Sequence, residues 1–297
     1  MHLAQLKRLF SRRSHSVAVQ DNLLVRAGRG ASIDVFREFA KQRLYTDLGP
    51  YLPLTPLGAN ASPTLCGRGD DFIASAGAGL PSPWAGTMVK TGGTPTIAYM
   101  NDNPGGIVAL TLDVTNEIET ARIDFLDNLQ IPVVPGLVVT FVGGVVADST
   151  GESGQMGTGD KGLVGLASAY NANPDLITTS IWVMMKGDAG ANHVYLEWDA
   201  NVAGQTQDDV DTEIAYNMTG VMGPMTFDFT DLEDVKIIVG GIDAGKAAGV
   251  TINMANARGT LLQPYCWISK AAATNNNHIM VFDYIEYFWP RAIGQQY

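Results

Sequence analysis

The chain has 297 residues, of which 46% are hydrophobic and 16% charged, with a net charge of −11. That is enough apolar material for a large core and too little charge for a disordered chain, and an acidic body is a poor match for nucleic acid or an anionic membrane. The charge is divided unequally: residues 1–43 carry nine Lys and Arg against three acids, a net of +6, and the remainder carries −17.

From the N-terminus, the broken apolar stripe of residues 1–10 and the SRRS string after it lack the continuous apolar run of a secretory signal. An Arg- and Ser-rich start poor in acids also resembles a mitochondrial transit peptide. No segment approaches the ~20 apolar residues of a membrane span. Residues 33–48 place Phe36, Phe39, Ala40 and Leu44 at helical spacing behind Ser32 as cap, which predicts one short amphipathic helix ended by Gly49-Pro50. Residues 49–83 are rich in Pro, Gly, Ala and Ser and read as a linker.

From residue 94 the pattern changes to short β-branched runs between turn residues. Predicted strands are 94–100, 106–113, 120–126, 136–143, 162–170, 178–186 and 193–199, then 225–229, 235–240, 249–254, 260–269 and 278–289. About a dozen strands on turn spacing predict a mainly β chain, an antiparallel β-sandwich or jelly roll. The organisation is a basic arm with its helix (1–48), a linker (49–83) and a sandwich (84–297).

The same stretches carry candidate chemistry. Residues 240–247, GGIDAGKA, follow an apolar strand as a phosphate loop would, but Ala247 stands where the magnesium-binding hydroxyl belongs and residues 249–252 break the helix that should follow. The segment reads as a turn between two strands. Glu117 and Glu119 alternate as strand neighbours do, and paired carboxylates hydrolyse glycosides. Ala121 stands where a third acid of a sandwich glucanase should be, so both read as solvated surface acids. Asp283 and Glu286 are an odd number apart and point to opposite faces. Asp209, Asp211 and Glu213, in an acidic loop over 208–213, are weak calcium candidates without the glycine and twelfth-position glutamate of an EF-hand.

His2, His15, His193 and His278 show no zinc spacing, Cys66 and Cys266 read as reduced structural thiols, and no Gly-x-Ser-x-Gly elbow is present. No catalytic residue, metal or cofactor is assigned, and the chain reads as a non-enzyme. Trp182, Trp198, Trp267 and Trp289 fall within strand patterns, where core packing competes with a sugar-stacking platform.

Several strings resemble a group of tailed-bacteriophage virion proteins: TGGTPTIA at 91–98, LTLDVTNE at 110–117, GLASAYNANPD at 165–175 and DDVDT at 208–212. FTDLEDVK at 229–236, LLQPY at 261–265 and VFDYIEY at 281–287 continue the match, which spans 84–289 and leaves the arm outside it. The resemblance implies a concanavalin-A/laminin-G-type jelly roll in a capsid decoration or cement protein, made in the host cytoplasm and assembled on the capsid surface as a homo-oligomer. Its partners would be the major capsid protein and neighbouring copies. The +6 arm would meet an acidic shell through Arg8, Arg12 and Arg13, and the helix would bury Phe36, Phe39 and Leu44. The alternatives are a lectin-like module of a head fibre or host-attachment protein, binding glycans through the sandwich, and a divergent glycosidase.

Overall fold

The computed structural model describes residues 64–70, 79–80, 83–99, 107–128, 130–146, 156, 159–187, 193–202, 205–215, 224–272 and 278–291. The arm and its helix, including Arg8, Arg12, Arg13, Phe36, Phe39 and Leu44, lie outside these residues. In chain order the strands are β1 (Thr64–Asp70), β2 (Ala85–Val89), β3 (Thr96–Tyr99), β4 (Val108–Thr111), β5 (Glu119–Asp124), β6 (Ile131–Pro132), β7 (Val138–Val146) and β8 (Lys161–Ala167). They continue with β9 (Thr179–Lys186), β10 (His193–Ala200), β11 (Thr206–Ala215), β12 (Met225–Asp228), β13 (Lys236–Val239), β14 (Ile242–Asp243), β15 (Leu261–Lys270) and β16 (Ile279–Arg291). One short helix, α1 (Ala244–Ala248), follows β14. A compact unit covers Gly69–Trp289. β1 falls inside the stretch read as linker.

Two antiparallel sheets make up this unit, one ordered β14-β13-β12-β7-β16-β4-β3 and the other β11-β10-β9-β8-β15-β5-β2. Consecutive strands β8 to β11 are neighbours, whereas β15 and β16 return from the end of the sequence to the middle of each sheet. The core between the sheets takes alternate residues: Val164 and Leu166 of β8, Ile181, Val183 and Met185 of β9, Leu196 and Trp198 of β10, and Val139, Phe141, Phe227 and Phe282 from the opposite sheet.

The two sheets differ in what covers their outer faces, and that difference positions the site. β12 and β13 alternate buried and half-buried residues, the pattern of a sheet with one face to solvent. β8, β9 and β15 are buried along nearly their whole length. Their outward residues Leu163, Trp182, Met184, Tyr265 and Trp267 form a second apolar cluster with Tyr195 and Ile177, on the far side of the sheet from the main core.

Three local readings are corrected. The acidic stretch 208–213 lies inside the ten-residue strand β11, at a sheet edge, where charged side chains are well tolerated. Residues 249–254 form no strand: Gly249 closes α1 in the left-handed region at φ 69° and Ile252 makes only an isolated bridge with Val235. The turn read over 240–247 overlaps α1, which forms because the Asp243 side chain accepts the Lys246 N–H at 3.0 Å as an N-cap.

Candidate functional site

Residues 168–177 turn across part of the outer face of the β10-β9-β8-β15 sheet after β8. The Asn171 carbonyl accepts the Tyr265 hydroxyl at 2.9 Å and also accepts from the Arg122 guanidinium. That guanidinium lies 4.3 Å from the centre of the Tyr170 ring, and its Nε is 2.7 Å from Asp124 Oδ2. Asn173 caps the 3-10 turn Pro174–Leu176 by accepting the Asp175 N–H, and Ile177 then drops into the apolar cluster. The loop is thereby tied to the sheet by hydrogen bonds and apolar burial together.

Against this loop is a cavity of about 320 Å³, lined by Lys161 and Leu163 of β8, Met184 of β9, Glu197 of β10 and Trp267 and Ser269 of β15, with residues 172–175 of the loop itself. Trp267 is 7% exposed and Trp182 only 1%, and neither indole N–H completes a hydrogen bond among the described residues. The Trp182 N–H does approach the Glu197 carboxyl and favours its ionised form. Burial dominates in the other direction, helped by Asp208 and Asp175, and holds Glu197 up at about 7 against the pull of Lys161. A carboxyl that exchanges its proton near neutrality thus faces a cavity with an aromatic wall, a hydroxyl and an ammonium.

Beyond the cavity, on the β11 side, the Lys186 ammonium sits 4.4 Å from the centre of the Tyr195 ring and pairs with Asp209 at 2.8 Å. His193 Nδ1 is 3.1 Å from Asp211, which also accepts the Glu213 N–H. These contacts show what the calcium candidates do: Asp209 and Asp211 each engage a different basic side chain, while Glu213 is exposed. Asp209 and Glu213 have left-handed backbones, φ 56° and 57°, where the β10–β11 register shifts. Among the described residues no group of three or more metal-ligating side chains is gathered.

The pair Glu117 and Glu119 is also corrected. Glu119 is fully buried and pairs with Lys270 at 3.2 Å, while Glu117 accepts the backbone N–H groups of Thr91, Gly92 and Gly93. Asp113 accepts the Thr94 and Thr115 N–H groups, which outweigh its burial and hold its carboxyl far below the usual range. These acids are clamps on the 91–94 turn, and a Cβ on Gly93 would come within 1.8 Å of Glu119. Cys266 is a free, fully buried thiol pushed well above its ordinary value by burial. Trp198 lies in the main core, whereas Trp182 and Trp267 are on the outer face.

Glu197, Lys161 and Ser269 were not singled out from sequence. One signal was present: along β10, Val194, Leu196 and Trp198 share one parity and His193, Tyr195 and Glu197 the other, so Glu197 must face away from the core.

No protein-family model matches the chain, and no curated protein matches it in sequence. Solved structures do resemble it in shape. A laminarinase from Flavobacterium sp. UMI-01 superposes with a TM-score of 0.51 at 12% identity, covering 74% of this chain and 98% of that one. Basic winged bean lectin with Tn-antigen superposes with a TM-score of 0.50 at 7% identity, covering 76% of this chain and 99% of the lectin. At such identities the likeness concerns the fold alone. With the two stacked antiparallel sheets, it establishes a concanavalin A-like, lectin-type jelly roll.

Proposed function

We propose that this jelly roll is a carbohydrate-binding module and that its sugar site is the cavity bounded by Trp267, Glu197, Lys161 and Ser269. The observation that carries the reading is the Trp267 ring in the wall of a cavity that also offers a carboxyl, an ammonium and a hydroxyl. A sugar ring needs that mixture: an apolar face for its C–H groups and several fixed donors and acceptors for its hydroxyls. The fold is one that a lectin and a laminarinase also use.

Trp267→Ala should weaken glycan binding at least about tenfold, the loss of one stacked aromatic. A glycan array followed by calorimetry on the best ligand measures it; unchanged affinity in the variant would place the sugar elsewhere. A second reading, glycoside hydrolysis, is favoured by the carboxyl of Glu197 standing at about 7, the range of a general acid. The neighbouring acid on the same face of β10, Asp199, is held by the Asn201 N–H and the Thr206 hydroxyl. Recovery of the bound oligosaccharide intact supports the binding module, and cleaved ends would establish the hydrolase.

The resemblance to tailed-phage virion proteins supplies a setting. The sandwich would be displayed on the particle surface, with residues 1–48 fastening it to the major capsid protein or to neighbouring copies. Deleting residues 1–43 should abolish particle binding while the sandwich still folds; particles that still retain the truncated protein would refute that anchoring role.

A further inference from the structure

We propose that the cavity selects an amino sugar, a hexosamine with a free, protonated amine whose ammonium sits against Glu197. The inference rests on the glycan-binding reading and names the class of sugar. Glu197 has no ion-pair partner among the described residues, although it is half-buried and two other carboxylates act on it, Asp208 of β11 and Asp175 of the 3-10 turn. Lys161 of β8 lines the same cavity as Glu197 and Asp175, and its pull on Glu197 is smaller than the push of either carboxylate. The site is therefore short of positive charge.

The possible ligands separate on that ground. A uronic acid would bring a further carboxylate into a place where Asp175 and Asp208 already repel Glu197. A neutral sugar would displace water from Glu197 and leave its charge without a counterion. A protonated amine supplies the counterion and forms a charge-assisted hydrogen bond with the carboxylate. The Trp267 ring in the cavity wall adds a π system that attracts a cation but leaves an N-acetyl group with only its ordinary packing. The acidic sandwich as a whole favours the approach of a basic glycan.

The pH dependence follows from the groups that face Glu197, namely Asp208, Asp175, Lys161 and the Trp182 N–H. Only ionised Glu197 can pair with the ammonium. With its carboxyl at about 7, affinity falls as the pH drops below neutrality and Glu197 takes up its proton.

The test is calorimetry of the full chain with β-1,4-linked oligomers of glucosamine, N-acetylglucosamine and glucose of equal length, at neutral pH and low salt. The glucosamine oligomer should bind at least about tenfold more tightly than either of the others, the size of one charge-assisted hydrogen bond. In Glu197→Gln that ratio should collapse to within about twofold, and in Asp208→Asn it should shrink by roughly twofold to threefold, as a single nearby charge implies. Wild-type affinity for the amine should also fall on acidification to about pH 5. If the N-acetylated or glucose oligomer binds as tightly as the amine, the amino-sugar inference is overturned while the glycan site stands. If none of the three binds and a broad array is also silent, both readings fall together.

Discussion

Lys270→Met should lower the folding stability by about 3 kcal/mol, a large share of what a single domain possesses. The Lys270 side chain is completely buried at the end of β15, opposite Glu119 at the start of β5. Its ammonium donates to the carbonyls of Asp113 and Thr115 and lies 3.2 Å from Glu119 and 3.6 Å from Asp113 Oδ1. Burial pushes the Glu119 carboxyl up in spite of this cation, so desolvation outweighs the attraction. The pair is for that reason costly to break without being a large net stabiliser. Methionine fills the space but leaves the buried Glu119 carboxylate without its counterion, holding only the Asp113 N–H at 2.9 Å, while the Thr115 carbonyl keeps the Glu117 N–H. One-sided removal of a buried ion typically costs roughly 3–5 kcal/mol, and the remaining hydrogen bonds place this case at the low end. Replacing both partners, as Lys270→Met with Glu119→Leu, should recover most of the loss. Guanidinium unfolding of the two single variants and the double variant measures the cycle. A Lys270→Met protein within about 0.5 kcal/mol of the wild type would show that the cluster is solvated and that this account of it is wrong.

The strands were legible wherever β-branched runs were bounded by turn residues, as in β9, β10, β12 and β15. They were lost where the side chains argued for another environment. β11 reads as an acidic loop because its aspartates suit an edge, and nothing in the string 208–213 tells that a sheet edge is there. α1 was hidden because Gly245 and Gly249 suggest a turn, while the feature that forms the helix is the Asp243 cap.

The site was less legible than the fold for a geometric reason. Carboxylate pairs were sought within one strand, which drew attention to Glu117 and Glu119. The cavity is instead assembled across β8, β9, β10 and β15, and the last of these begins at Leu261, well after β10 ends at Ala200. Parity within a strand does separate Trp198 from Glu197, because β10 alternates in polarity. It could not do so for Trp182, since β9 is apolar on both faces. A strand covered on both sides conceals which of its aromatics is core and which is wall.

Gly165→Ala is expected to cost about 3 kcal/mol and to disturb the sugar site, although residue 165 does not line the cavity. In β8, Gly165 is registered between Trp182 of β9 and Tyr265 of β15, and all three face outward. The two rings have centroids 6.0 Å apart and are tilted by 30°, a closeness across an intervening strand that requires a residue with no side chain between them. A Cβ at this position would lie 2.2 Å from the Ile181 carbonyl oxygen and 2.6 Å from the Trp182 Cα. Both obstacles are backbone, so relief requires β8 and β9 to move apart rather than a side chain to swing away. Gly240→Ala is the useful control: its backbone is left-handed at φ 56°, but nothing lies within 4 Å of the added carbon, so only the roughly 1 kcal/mol conformational penalty applies. Thermal unfolding should rank the two variants in that order. Near-ultraviolet circular dichroism should show the Trp182–Tyr265 contact altered in Gly165→Ala alone. Because Trp182 also carries the N–H that approaches Glu197, glycan affinity should fall in Gly165→Ala and persist in Gly240→Ala. Equal melting temperatures for the two variants would mean that the sheet yields easily at Gly165, and that the aromatic pair does not depend on the glycine beneath it.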